Sequence, residues 1–345
     1  MPSLRELVTT TARALQREAS LALWLREFER AFTTAGPYQK FLLRSGSAPG
    51  ATAHLAPVNL NPFAPSHLAG LDRMQPHVYR MSLRYIMGME PLPGTAAAII
   101  AGGGTCPSCK TCLVGYDIEF LTNHLMSCAV GGCTQRTALA ITQAVQRCMT
   151  DVGITSVREL RGLSATSAHR PGDAVSEPVP VPVAYDAGGE LRWVVDTTVS
   201  YLSSSNYVSA VHGDADAEVT KAEKDKEAAM RREIATGQRS ALPPGFRFVP
   251  AAMDVRGRKG PQLKALLASL AEHGAAHALA TPASTEEGGD AAKGQLAVRF
   301  SARMAVALHR ALMQAYLYRA QEVARAAEER TGFAAVTGLE LRFQQ

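Results

Sequence analysis

Apolar residues recur at helical spacing over residues 3–34, where Leu4, Leu7, Leu15, Leu21, Leu23, Trp24 and Phe28 predict an N-terminal helix. Residues 45–66 are rich in Gly, Pro, Ala and Ser and read as a linker or long loop. Val78, Met81, Tyr85 and Met89 predict a helix over 77–89. Leu139, Ile141, Val145 and Met149 predict another from Thr134 to about Asp151. Ser156 through Glu159 has the form of a capping box, which would open a short helix. The pattern then changes. Two extended runs, 175–185 and 191–202, flank a turn-forming sequence at 186–189 and predict a hairpin. Prolines 178, 180 and 182 confine its first strand to an edge or make it irregular. A helix over 215–236 stopped by Gly237, a strand at 246–250 and a helix at 262–271 follow. A long Ala-rich helix begins at about 295.

These elements predict an α+β chain. Its expected parts are a helical region at 1–95, a cysteine-rich module at 100–135 and an α/β core at 136–272. A flexible, Ala-, Thr- and Gly-rich linker at 273–294 and a C-terminal helix at 295–345 complete it. At 345 residues the chain has room for two units. With 46% hydrophobic and 19% charged residues it has a soluble globular composition. No apolar run approaches the roughly 20 residues that span a bilayer, so no membrane partner is expected. The first residues lack the apolar stretch of a signal peptide, and a reducing compartment is the expectation. The net charge of +5 alone says little about nucleic acid. Its placement says more. Lys221, Lys224, Lys226, Arg231 and Arg232 fall on one helix, and Arg256, Arg258 and Lys259 in one loop.

Five of the six cysteines lie within 28 residues: Cys106, Cys109, Cys112, Cys128 and Cys133, with His124 among them. Cys106-x₂-Cys109 is a tight turn that presents two thiolates to one side. His124-x₃-Cys128 is one helical turn, which puts both ligands on one face, so the four can complete a Zn²⁺ tetrahedron. Cys112 offers a second register, and Cys133 could replace Cys128. Glycines 102–104 free the backbone just before Cys106 and favour the first set. Four protein ligands make such a zinc structural. Cys148 lies on an apolar helical stripe and reads as core.

A second constellation is Asp173, Asp196 and Lys226. Two carboxylates and an ammonium are minimal equipment for a Mg²⁺-dependent phosphodiesterase, with oxygen ligands for the metal and a cation for water or phosphate. Asp196 interrupts the run Trp193, Val194, Val195, where a solvated surface acid is unexpected. On a wheel of the 215–236 helix, Val219, Ala222, Met230, Glu233 and Ile234 cluster within about 60° of their mean direction, and Lys226 falls in the middle of that stripe. Lys221 and Lys224 point away. Asp173 follows Gly172 in a turn-like setting. Simple pairing about the 186–189 turn would set Asp196 opposite Val179. A bulge or bend at the prolines is needed to bring Asp173 there; otherwise Glu177 is the better ligand.

The order of these motifs resembles the C-terminal part of site-specific non-LTR retrotransposon polyproteins. The motifs are Cys106 to Cys109, His124 to Cys128, Arg136, Arg170 to Asp173, Val194 to Val199 and Ala222 to Met230. In that family a CCHC zinc knuckle precedes a restriction-like endonuclease of the PD-(D/E)XK type. The resemblance covers about residues 75–270. It implies Asp173 and Asp196 as Mg²⁺ ligands, Lys226 as the catalytic lysine, and Arg136, Arg170, Lys221 and Lys224 as contacts to a duplex DNA target. The implied work is nuclear: nicking DNA for target-primed reverse transcription, with element RNA as a further partner and a reverse transcriptase supplied from outside this chain. Gly172 between Pro171 and Asp173, Thr137 in place of a histidine, and Met230 in place of a tyrosine depart from the family pattern. The alternative is a nucleic-acid-binding remnant that keeps the zinc and has lost cutting. A third reading is a zinc-stabilised interaction protein.

Overall fold

The computed structural model describes residues 33, 74–86, 89–115, 118–128, 130, 132–158, 172–177, 179–180, 190–201, 217–239, 241–255, 257–279 and 286–331. The expected N-terminal helix (apart from residue 33), the 45–66 linker, Arg170, the 186–189 turn and residues 332–345 lie outside that set. Among the described residues the helices are α1 (Pro76–Ile86), α2 (Thr95–Ala101), α3 (Ile118–Ser127), α4 (Cys133–Asp151), α5 (Ala217–Ala235), α6 (Pro261–Leu279) and α7 (Glu286–Thr331). The strands are β1 (Ser156–Arg158), β2 (Ala174–Ser176), β3 (Val179–Pro180), β4 (Glu190–Ser200) and β5 (Phe246–Asp254).

The chain is a mixed α/β structure whose sheet is built around β4. Strands β1, β2 and β4 are antiparallel neighbours, β3 pairs the start of β4, and β5 runs parallel to β4 along Arg192–Ser200. A parallel pair needs a crossover, and α5 supplies it. The order through this region is therefore α4, four antiparallel strands of which β3 has only two residues, α5, one parallel strand. Successive residues of β4 address opposite faces. Thr197 hydrogen-bonds Thr142 of α4 at 2.7 Å, whereas Asp196 meets Lys226 of α5 at 2.9 Å. The two helices thus cover opposite faces of the sheet.

The hairpin register differs from simple pairing about residues 186–189. Pro180 pairs with Glu190, so nine residues separate the paired ends. Val179 accordingly lies opposite Leu191, not Asp196. Between the Val179–Leu191 and Val175–Val194 pairs, four steps on the first strand answer three on β4, one extra residue. This is the count of a β-bulge. Loop and extra residue together take Val179 away from Asp196 and leave Asp173 just before the Ala174–Val195 pair, where its N–H donates to the Val195 carbonyl at 2.8 Å.

Other boundaries shift for identifiable reasons. Ser156–Arg158 forms an edge strand rather than a capped helix, because it pairs with Ala174–Ser176. Strand β5 continues four residues beyond Pro250, in step with β4. The expected linker at 273–294 is helical at 273–279 and again at 286–294. Alanine is the strongest helix former, and Gly274 is tolerated because three elements meet on it. A Cβ there would lie 2.5 Å from Val152 and 2.7 Å from Leu296.

The C-terminal helix is not a separate appendage. Helix α7 has 46 residues, roughly 69 Å at 1.5 Å per residue, and packs against α1, α2, α3, α4 and α6. Phe300, Met304, Leu308, Leu312 and Tyr316 are fully buried along it. Arg299 and Arg303 hold Asp151 at the end of α4, at 3.1 and 2.7 Å. Lys259, on the loop after β5, is buried against the same helix and donates to Ser301 at 3.2 Å. Burial, with the charge of Lys264, brings its ammonium down from 10.5 to about 8. The unfolded chain therefore holds the extra proton between those values, and stability rises with pH across that window. Lys259→Met is expected to be more stable than wild type at pH 7 and to lose that rise, as read by urea unfolding between pH 7 and 10.

Candidate metal centre and carboxylate site

Glycines 103 and 104 take positive φ and turn the chain after α2 into the cysteine loop. Cys106 N–H donates to Thr111 at 2.9 Å, Lys110 N–H donates back to Cys106 at 2.9 Å, and Thr105 bridges Cys112. That closed turn aims Cys106 and Cys109 inward. Helix α3 supplies the other pair, with the Cys128 N–H donating to the His124 carbonyl at 2.8 Å. The ligand atoms of Cys106, Cys109, His124 and Cys128 all lie within 4.8 Å of one another. Cys106 and Cys128 sulfurs are 3.9 Å apart, and Cys109 Sγ is 3.3 Å from His124 Nε2. Tetrahedral zinc, with bonds of about 2.3 Å to sulfur and 2.0 Å to nitrogen, sets these separations at roughly 3.8 and 3.5 Å. The cluster can hold a metal ion such as zinc. Cys112 is exposed, Cys133 is buried at the start of α4 and Cys148 is in the core; all three stand outside the four-residue set.

Without a cation the cluster is electrostatically uneven. Burial and the adjacent Cys106 push the Cys128 thiol up to about 12. Burial also raises Cys109, but hydrogen bonds from Thr111, Cys106 and Cys128 outweigh it and bring the thiol to about 7. Burial and the Arg319 charge hold His124 below its ordinary value, so its imidazole is neutral and able to ligate. A dication reverses the mutual repulsion of the thiolates.

Helix α7 clasps this module from outside. Ser108 donates to Glu322 at 2.8 Å, and buried Arg319 donates to both Ser108 and Glu322. Arg136, exposed on α4, sits over the Tyr318 ring at 5.4 Å. Arg330 reaches the Gly102 carbonyl, and a Cβ at Gly103 would collide with its guanidinium.

The second constellation is assembled by the sheet. Asp173 Oδ2 accepts from the Thr197 N–H at 2.8 Å and from its hydroxyl at 2.7 Å, while Asp173 N–H donates to Val195 at 2.8 Å. Lys226 Nζ donates to both oxygens of Asp196, at 3.0 and 2.9 Å. Burial pushes the Asp196 carboxyl above the ordinary range and the Asp173 charge adds to it. Lys226, and further off Arg239, pull the other way without reversing the shift. Glu177, the fallback ligand, is exposed and four residues from Asp173, roughly 13 Å along a strand, so it does not join them. Gly172, the departure from the family pattern, has a steric cause: a Cβ would lie 2.8 Å from the Val195 carbonyl and 2.9 Å from Val194. Gly172→Ala is expected to cost about 1–3 kcal/mol and to loosen the Asp173–Thr197 contacts, measured by the urea midpoint.

Lys226 keeps about a third of its side-chain surface exposed, so it lies at the flank of the packing stripe rather than its centre. The buried members of α5 are Val219, Glu223 and Met230. Glu223 was legible on the wheel, four residues after Val219 and seven before Met230, yet an acid is not expected inside. Arg239, ion-paired to Glu233 at 3.0 Å, is a further cation near Asp196 that sequence spacing did not mark. Lys221 and Lys224 are exposed on the outer face of α5. No family model, curated protein or solved structure matches this chain.

Proposed function

We propose that the chain is a metal-dependent DNA endonuclease with a restriction-like core and a structural zinc module. The observation that carries this reading is Lys226 of the crossover helix spanning both Asp196 oxygens, with Asp173 held by the next residue, Thr197, and near enough for its charge to act on Asp196. The mixed sheet of β1 to β5, with α5 crossing over between the parallel strands β4 and β5 and carrying Lys226, supports the finer assignment to a PD-(D/E)XK core. A buried carboxylate whose desolvation one lysine only partly offsets, with a second acid adding to the shift, suits a hard divalent cation, which takes one or two carboxylates plus water and phosphate oxygens. Mg²⁺ held there by Asp173 and Asp196 would supply a Lewis acid for the scissile phosphate.

The residues of the chain then divide the remaining work. Thr197 fixes Asp173 through backbone and hydroxyl, leaving Oδ1 for a ligand. Lys226 opposes charge developing on the phosphate or orients the attacking water. Lys221 and Lys224 on the outer face of α5, and Arg136 beside the zinc module, are the contacts to the DNA backbone, with steep salt dependence of binding as their signature. Zinc, held by Cys106, Cys109, His124 and Cys128, is structural, since four protein ligands leave no open position. The retrotransposon role, with a separate reverse transcriptase and element RNA, rests on the motif order alone. Conversion of supercoiled plasmid to open circles, dependent on Mg²⁺ and absent in Asp196→Ala, tests the reading.

A further inference from the structure

Helix α5 carries a second charged side chain on its inner surface, and the mechanism above gives it no role. Glu223 is 3% exposed, and both carboxylate oxygens are engaged by backbone from two other elements. Oε2 accepts from the Gln262 N–H at 2.9 Å, and Oε1 from the Leu263 N–H at 3.2 Å and the Ala252 N–H at 3.4 Å. Gln262 and Leu263 belong to the first turn of α6, whose N–H groups have no partner within the helix and favour an anion. Ala252 lies on β5, paired with Thr198 of β4, two residues beyond Asp196. One carboxylate therefore joins α5, β5 and α6. The fit is close: a Cβ on Gly260 would lie 2.1 Å from Glu223 Oε1.

Three residues separate Glu223 from Lys226, one turn of the same face, about 4.5 Å along the axis. Val219 and Met230 are the other buried residues of α5, apolar and non-directional, and Ser200 donates to Glu218 at 2.9 Å. Glu223 ties this turn of the helix to backbone N–H groups in fixed directions. We infer that Glu223 is a positioning residue, which sets the rotation and height of α5 so that Lys226 Nζ spans Asp196. The inference rests on the assignment of Lys226 to the nuclease site, but the Lys226–Asp196 contact can be read without any nicking activity.

The test reads that contact directly. Purified protein is treated with a small amine-acylating reagent, and modification of each lysine is followed by peptide mass spectrometry. Glu223→Ala and Gly260→Ala, which attack the same anchor from its two sides, are each expected to raise the Lys226 rate several-fold. Lys221 and Lys224, already exposed, serve as references, and Lys259 reports general loosening. A rise at Lys226 alone supports positioning; no rise in either variant, or an equal rise at Lys259, overturns it. Nicking rates give an independent arm through a double-mutant cycle. Glu223→Ala is expected to slow wild type but add nothing in the Lys226→Ala background, and multiplying penalties would overturn the proposal. Absence of nicking by wild type would remove the nuclease reading and leave the labelling result standing.

Discussion

Chelation of zinc is expected to unfold the cysteine module and to destabilise the helices around it. The four ligand atoms come from a short turn and from the C-terminal end of a 10-residue helix, and bound zinc would be the direct link between the two segments there. Structural zinc contributes about 10–16 kcal/mol of apparent binding energy in small zinc-dependent peptides. If a third of that reaches the fold, the thermal midpoint falls by roughly 10 °C, at about 2–4 °C per kcal/mol for a domain of this size. Ser108 is tied to Glu322 and Arg319, so the loss should spread along the distal half of α7. Cys106→Ser and Cys128→Ser are expected to lose the bound equivalent of zinc, and Cys112→Ser to keep it. Metal content by mass spectrometry beside the melting curve checks both; zinc retained in Cys128→Ser would return Cys133 to candidacy.

The largest effects on activity are expected at Asp196 and Lys226. Removing Lys226 takes away the cation that spans both oxygens of Asp196 and, on the proposed reading, a charge facing the phosphate. A loss of roughly 10²–10³-fold in rate is expected for Lys226→Ala, the range seen when one preorganised electrostatic donor is deleted. Asp196→Ala removes the proposed Mg²⁺ ligand and should reduce cutting to background. Asp173→Asn keeps the shape of the side chain, and its amide oxygen can still accept from Thr197 if it faces that way. Its defect should therefore lie mainly in the concentration of Mg²⁺ required, measured as a titration of initial nicking rate. Duplex affinity should be nearly unchanged in all three, because Lys221, Lys224 and Arg136 lie elsewhere.

Local signals in the sequence carried the zinc module almost completely. A Cys-x₂-Cys turn and a His-x₃-Cys helical turn each fix a pair of ligands within a few residues, so spacing alone is informative. The carboxylate site was harder because it depends on strand register, a long-range property. Asp173 and Glu177 look equivalent when the loop between paired strands is taken as a four-residue turn. Nine residues between the paired ends and one bulged residue decide the matter, and neither follows from local patterning. Glu223 was hidden by its own chemistry, since the backbone donors that make its burial tolerable come from β5 and from the start of α6. The long helix was recognised as a helix, but not as the element that joins the zinc module to the sheet. Its partners are spread over more than two hundred positions upstream, and an Ala-rich stripe does not say what it packs against.

The account turns on whether the Asp173–Asp196–Lys226 arrangement cuts phosphodiester bonds. The most direct measurement is plasmid nicking by wild type, Asp196→Ala and Lys226→Ala, purified identically with zinc bound and assayed with Mg²⁺ and with EDTA. The account predicts open circles from wild type with Mg²⁺, none with EDTA, and at most trace product from either variant. Equal nicking by all three proteins, or none by a zinc-loaded, DNA-binding wild type, would contradict it.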